Sequence, residues 1–179
     1  MKGLLIYKGK YGATRQYADW LKDLLNVPIT TPDEIKANEI KQADYLVIGS
    51  SVYVGKLLIR HWLKENVSQL VNKKIFMFVV SATPATEKVK LDGFMMSVPA
   101  ELRYLIEIYY LPGKMTKKNL SFLDNIILHM GAWLSKDLVE KKNMLTDFDA
   151  LDINKLNDLV NSIKTFEKSQ ETPQSITGH

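Results

Sequence analysis

The stretch Tyr7–Lys8–Gly9–Lys10–Tyr11–Gly12–Ala13–Thr14–Arg15 has the make-up of an anion cradle. Gly9 and Gly12 let the backbone curl around a ligand, Thr14 offers a hydroxyl, and Lys8 and Lys10 raise the local potential. An apolar run at 4–7 precedes it and an amphipathic run follows, so it joins a strand to a helix start. There, unpaired N–H groups and the helix dipole favour negative charge. A tight turn with no ligand would use the same glycines. Two other phosphate loops do not fit. A nucleotide-hydrolase loop needs GxxxxGK followed by Ser or Thr, and here Tyr11 follows Gly9–Lys10. A dinucleotide fingerprint needs GxGxxG, and only Gly9-x-x-Gly12 is present.

Two further stretches follow apolar strands and converge on the same sheet edge. In the first, Gly49–Ser50–Ser51–Val52–Tyr53–Val54–Gly55–Lys56, Ser50 and Ser51 can hydrogen-bond. Tyr53 sits between flexible points, suited either to cover a flat ring or to anchor the loop. In the second, Ser81, Ala82, Thr83, Pro84, Ala85 and Thr86 are small enough for a ligand edge to reach main-chain amides. One anion-suited loop and one aromatic loop imply a phosphate-bearing planar cofactor, and FMN has that shape.

Other chemistries find little support. The chain has no cysteine, which removes disulfides, thiolate nucleophiles and thiolate metal sites. His61, His129 and His179 lack ligand spacing, so no metal is expected. A phosphate-accepting receiver domain would need acids after its first and third strands, where this chain has Lys8–Gly9 and Gly49–Ser50. With 24 basic and 20 acidic residues the net charge is +4, which suits an anionic ligand or lipid surface. No Arg/Lys cluster reads as a nucleic-acid footprint, so no nucleic-acid partner is expected. The sequence carries no signal-peptide pattern and no segment long enough to cross a bilayer, so the expected location is cytoplasmic.

The elements that must position these loops follow from the apolar periodicity. A chain of 179 residues with 46% hydrophobic content fits one domain, expected at 1–167 with a polar tail at 168–179. Strands are expected at 4–7, 27–30, 45–49, 74–80 and 106–111. A helix is expected at 13–25, with Tyr17, Ala18, Leu21, Leu24 and Leu25 on one stripe. Thr31–Pro32–Asp33–Glu34 has the form of a helix start with a capping box. Further helices are expected across 59–70, at 95–104 and in an insert about 112–149, near 120–134. The last is expected through Leu156, Leu159, Val160, Ile163 and Phe166, with Asp152 as cap. Residues 81–93 read as a polar loop. Alternating strand and helix implies an α/β fold with a parallel sheet and right-handed crossovers.

The segments KGKYGATRQYA at 8–18, YLVIGSSVYVGKL at 45–57 and YYLPGKMTKKNLSFLDNIILHM at 109–130 carry a family resemblance. Over roughly 3–166 the chain resembles flavodoxin-like proteins, nearest the branch of menaquinone-dependent protoporphyrinogen IX dehydrogenases. The resemblance implies an open five-stranded parallel sheet in order 2-1-3-4-5, with helices on both faces and FMN at the strand ends. The family's phosphate loop, roughly T/S-x-T/S-G-x-T, falls on Gly9, Lys10, Tyr11, Gly12, Ala13 and Thr14. Gly9 and Tyr11 depart from it, leaving backbone amides and Lys10 to compensate. Tyr53, within Ser50–Gly55, falls where the family covers the flavin ring. Ser81, Ala82, Thr83 and Ala85 fall where the pyrimidine edge is held. The implied activity is flavin-dependent oxidation with a quinone-type acceptor. The alternatives are a small electron carrier and a scaffold without flavin. In the insert, Ile126–Ile127–Leu128 and Ala132–Trp133–Leu134 are apolar and Lys117, Lys118, Lys136, Lys141 and Lys142 flank them. This pattern suits peripheral contact with the inner face of a membrane, a core helix or a homo-oligomer contact.

Overall fold

In the computed structural model the described residues are 1–83, 87–116, 118, 120, 121, 123–126, 128 and 146–171. The chain alternates strand and helix from its start. It runs through β1 (Gly3–Lys8), α1 (Ala13–Leu25), β2 (Ile29–Thr30), α2 (Ala37–Gln42), β3 (Tyr45–Tyr53) and β4 (Lys56–Leu57). Then follow α3 (Arg60–Glu65), α4 (Val67–Leu70), β5 (Lys74–Ser81), α5 (Lys88–Met95), α6 (Ala100–Arg103) and β6 (Ile106–Pro112). A short antiparallel pair, β7 (Lys114–Met115) and β8 (Phe148–Asp149), precedes a 3-10 turn (Ile153–Leu156) and α7 (Asn157–Glu171).

The sheet runs β2-β1-β3-β5-β6, all parallel, with β4 antiparallel on the end of β3. Counting only the parallel strands, this is the 2-1-3-4-5 order that the family resemblance implies, with one extra short strand. Register aligns Leu5 with Val47 and Val47 with Phe76. Successive side chains alternate faces, so each strand feeds two cores. Leu4, Ile6, Leu46, Ile48, Ile75 and Met77 meet α2 to α6 through Ile40, Trp62, Leu63, Leu91 and Leu102. Leu5, Tyr45, Val47, Phe76 and Phe78 meet α1 and α7 through Tyr17, Leu21, Leu159 and Ile163.

The structure corrects several expected boundaries. Thr31–Glu34 is one turn, held by Glu34 N–H to Thr31 O at 3.1 Å, and α2 begins later, where Lys36 N–H donates to Glu39 Oε2 at 2.8 Å. The strand expected to end at 49 continues to Tyr53, so residues 49–53 are strand and the loop shrinks to Val54–Gly55. The single helix expected across 59–70 breaks at Asn66, whose Nδ2 donates to Trp62 O at 2.8 Å and ends α3 with its own side chain. The polar loop expected at 81–93 is helical from Lys88 onward, and of the helix expected at 95–104 only Met95 and Ala100–Arg103 are helical. Gly93 is inside α5, where buried Leu91 and Phe94 outweigh a helix cost of ~1 kcal/mol for glycine. The helix stops ahead of Pro99, which precedes α6. At the far end α7 runs past 167 to Glu171. Asp152 caps the 3-10 turn, accepting from Asn154 N–H at 2.9 Å. Of the helix expected near 120–134, residues 123–126 are helical, while 129–145 lie outside the described residues, as do 172–179.

Candidate functional site

The carboxyl ends of β1, β3, β5 and β6 come together on one edge of the sheet. In a doubly wound sheet the chain leaves β1 and β3 in opposite directions, and the crevice between them receives ligands. A cavity of about 400 Å³ opens there, within the range of small-molecule sites.

The first loop lines it with Lys10, Tyr11, Ala13 and Thr14. Gly12 turns the chain into α1 at φ 85°, a left-handed conformation that glycine takes without strain. The first N–H groups of α1 therefore point out of the helix at the cavity. Gly9 has no such conformational demand. A Cβ there would lie 2.7 Å from Thr14 Cβ and 2.8 Å from Thr14 Oγ1, so the Thr14 side chain packs directly against the glycine.

The second wall comes from Ser51, Val52, Tyr53 and Val54. Positive φ at Val54 (48°) and Gly55 (69°) makes a two-residue hairpin turn between β3 and β4. Ser50 does not line the cavity. Its Oγ donates to Ser51 O at 3.0 Å and accepts from Ile59 N–H at 3.3 Å, bracing the hairpin. Gly55 is exposed in the turn.

Val80, Ser81 and Ala82 close the floor. Thr83 stays outside the lining, its N–H donating to Ser81 Oγ at 3.2 Å, and Ala85 lies outside the described residues.

Sequence reasoning missed the remaining wall: Gly113, Lys114, Met115, Leu120, Asp124, Leu128 and Phe148. The rule that ligands gather at carboxyl ends of strands applies equally to β6, and Pro112–Gly113 marked that end. Gly113 N–H donates to Ser81 O at 2.9 Å, and Ala150 N–H to Gly113 O at 3.2 Å, stitching β5, β6 and the β8 segment at the floor. Nothing local in the sequence singles out Asp124.

Electrostatics centre on that residue. Asp124 is 6% exposed. Lys10 Nζ lies 2.8 Å from Oδ1 in hydrogen-bond geometry and 2.7 Å from Oδ2 as an ion pair alone. Tyr53 Oη donates to the same Oδ1, and Lys10 Nζ sits 4.1 Å from the Tyr53 ring centroid. Burial pulls the Lys10 ammonium towards neutrality, but hydrogen bonds with Asp124 and Tyr53 outweigh it and hold its pKa above the ordinary lysine value. Lys114, the other lysine lining the cavity among the described residues, pairs with Asp149.

Tyr11 Oη, Thr14 Oγ1 and Ser51 Oγ are buried and make no hydrogen bond among the described residues. All three residues line this one cavity. Among the described residues no group of three His, Cys, Asp or Glu could hold a metal, and no helix is long and apolar enough to cross a membrane.

The flavodoxin domain family matches residues 4–142, and the chain belongs to that family. Oxidised flavodoxin 2 from Bacillus cereus is 15% identical, with a TM-score of 0.53 over 92% of this chain and 99% of its own. The Trp repressor binding protein from Bacillus subtilis is 12% identical, with a TM-score of 0.51 over 76% of this chain and 99% of its own. At these identities the likeness concerns the fold. No curated protein matches the sequence.

Proposed function

We propose that this chain is an FMN-binding redox protein of the flavodoxin kind. The carrying observation is the trio Tyr11 Oη, Thr14 Oγ1 and Ser51 Oγ, buried without partners among the described residues, in residues that line one cavity at the strand ends. A buried polar atom left unpaired costs about 1–3 kcal/mol, which a ligand bearing phosphate and carbonyl oxygens would recover. Membership of the flavodoxin domain family supports the same cofactor.

Bound there, FMN would supply the electron and hydride chemistry. The chain's own part is to bind, orient and exclude water. The start of α1 and the Thr14 hydroxyl suit the phosphate, since an anion gains most where N–H groups converge. The amides after Ser81 suit the polar edge of the ring. Tyr53 suits its flank, and Val52, Val54, Val80 and Met115 keep the cavity apolar. No side chain needs to move a proton for this role.

The purified protein should carry a flavin spectrum with stoichiometric FMN. Thr14→Val keeps the shape and removes the hydroxyl, and should weaken FMN by about 1.5–3 kcal/mol while sparing riboflavin. Failure to bind either flavin would remove the cofactor assignment. Equal losses for both flavins would move the phosphate away from Thr14.

Electron carriage between redox proteins is the first reading. A second, flavin-dependent oxidation of a protoporphyrinogen-like substrate with a quinone acceptor, draws on Leu123 and Ile126. These are 69% and 42% exposed and flank buried Asp124 in the cavity wall. Exposed apolar side chains on the stretch that carries Asp124 suit a hydrophobic acceptor or a lipid surface. The two readings part on the acceptor: a carrier reduces a protein partner and leaves a vesicle-borne quinone oxidised.

A further inference from the structure

We propose that Asp124 is an internal counter-ion that competes with the cofactor phosphate for Lys10, so that loading the cofactor requires the first loop to let go of the insert. The proposal rests on the FMN reading. Lys10 is the cation of the phosphate loop, yet its ammonium is held 2.7–2.8 Å from a carboxylate supplied by a segment 114 residues further along the chain. It also lies against the face of Tyr53, the ring expected to flank the flavin. The same carboxylate accepts from Tyr53 Oη, so one buried group fixes both side chains. Meanwhile Tyr11 Oη and Thr14 Oγ1, further along the same loop, have no partner among the described residues. Lys114 is likewise paired, with Asp149, so both cavity lysines among the described residues are neutralised from within.

This arrangement has a direction. A phosphate at the start of α1 attracts Lys10, and Lys10 can strengthen that contact only by weakening its pair with Asp124. The carboxylate would keep its Tyr53 hydrogen bond but lose its cation in a poorly solvated place, where an unpaired charge is costly. Asp124 would therefore lower the preference for a phosphorylated flavin over an unphosphorylated one. It would also make the wall that carries Asp124 a sensor of whether the phosphate loop is filled.

The test is fluorescence titration of apoprotein with FMN and with riboflavin, for the wild type, Asp124→Asn and Asp124→Ala. Melting curves would show which variants are folded at the titration temperature. Removing the carboxylate frees Lys10, so the ratio of riboflavin to FMN dissociation constants should rise about tenfold or more, the size of one charge-assisted hydrogen bond. FMN affinity in the variants should also fall more steeply with added salt than in the wild type. The alanine variant frees the same lysine without an amide to replace the carboxylate, so either folded variant reads the effect. An unchanged or lower ratio, with FMN still bound, would overturn the competition and leave the FMN assignment standing. No binding of either flavin by wild type and variants alike would overturn both.

Discussion

The resemblance to flavodoxins sets a hydroxyl residue at the position of Gly9, and in this chain Thr14 packs directly against that glycine. Thr14 is 1% exposed and its Cβ would be 2.7 Å from a Cβ on residue 9. Thr14 is β-branched and stiff at χ1, and it sits in the first turn of α1, so it cannot swing aside without moving the helix start. Gly9→Ser, which restores the family's hydroxyl, should therefore reduce stability by ~1–3 kcal/mol and weaken FMN, because the added atom displaces the one threonine suited to the phosphate. A melt and a titration decide it; tighter FMN binding at unchanged stability would show that the loop has room. Val54 presents the opposite case, a residue in place despite its backbone. Its φ of 48° is a conformation that β-branched residues rarely adopt, and the side chain is 62% exposed at the cavity rim. Strain kept at the edge of a binding site is a common companion of function.

At the scale of elements, the parts that position the site meet through Tyr17. Its hydroxyl donates to Pro112 O at 3.0 Å and accepts from Asp152 N–H at 3.2 Å, joining α1 to the end of β6 and to the cap ahead of α7. The ring is fully buried and packs edge-on to Trp20 at 5.4 Å. Tyr17→Phe keeps the ring but strands a carbonyl and an N–H, so urea unfolding should show a loss of ~1–3 kcal/mol. A change within experimental error would mean that water replaces the hydroxyl at both groups. The sequence stripe already put Tyr17 on the buried face of its helix, because periodicity reports burial. It could not report the hydroxyl's partners, which lie 95 and 135 residues away. The same limit explains the misplaced boundaries. Gly93 reads as a loop signal locally, and only the packing of Leu91 and Phe94 on the sheet makes it helical. Residues 50–53 read as loop because a strand that ends in a two-residue hairpin carries the turn-like residues Ser50 and Ser51 within its own span.

For the molecule as a whole, the sheet was legible because its central strands are buried on both faces and so lose polar alternation. The cavity was only half legible. Three of its walls follow the strand ends, whereas Asp124, Met115 and Phe148 arrive through the path of the chain beyond β6. Charge brought together by that same folding sets the pH range of the structure. Burial alone would raise the Glu107 carboxyl, but hydrogen bonds from Lys74 and Tyr109 outweigh it and hold the pKa below the usual carboxylate value. Asp149 is likewise lowered, first by Lys114 and then by Leu151 N–H. A lowered folded pKa gives stability that is present above the unfolded carboxylate value, near pH 4, and is lost as pH falls through the folded one. Tyrosines act at the other end. Burial, then the Glu107 carboxylate, pushes Tyr109 up to about 12, and burial also raises Tyr17, Tyr45 and Tyr110. A raised folded pKa gives stability that is whole below about 10 and is lost as pH rises towards the folded value. The melting temperature should therefore be flat from about pH 5 to 9 and fall on both sides. Glu107→Gln removes one acid-labile pair and should flatten the acid limb. The 40% exposure of that side chain keeps the change at pH 7 below ~1 kcal/mol, since solvent screens the pair. Tyr109 loses its charged neighbour in the same variant, so the alkaline limb should shift upwards. An alkaline limb that stays fixed while the acid limb flattens would separate Tyr109 from Glu107 and leave burial and the Asp158 charge as the causes of its shift.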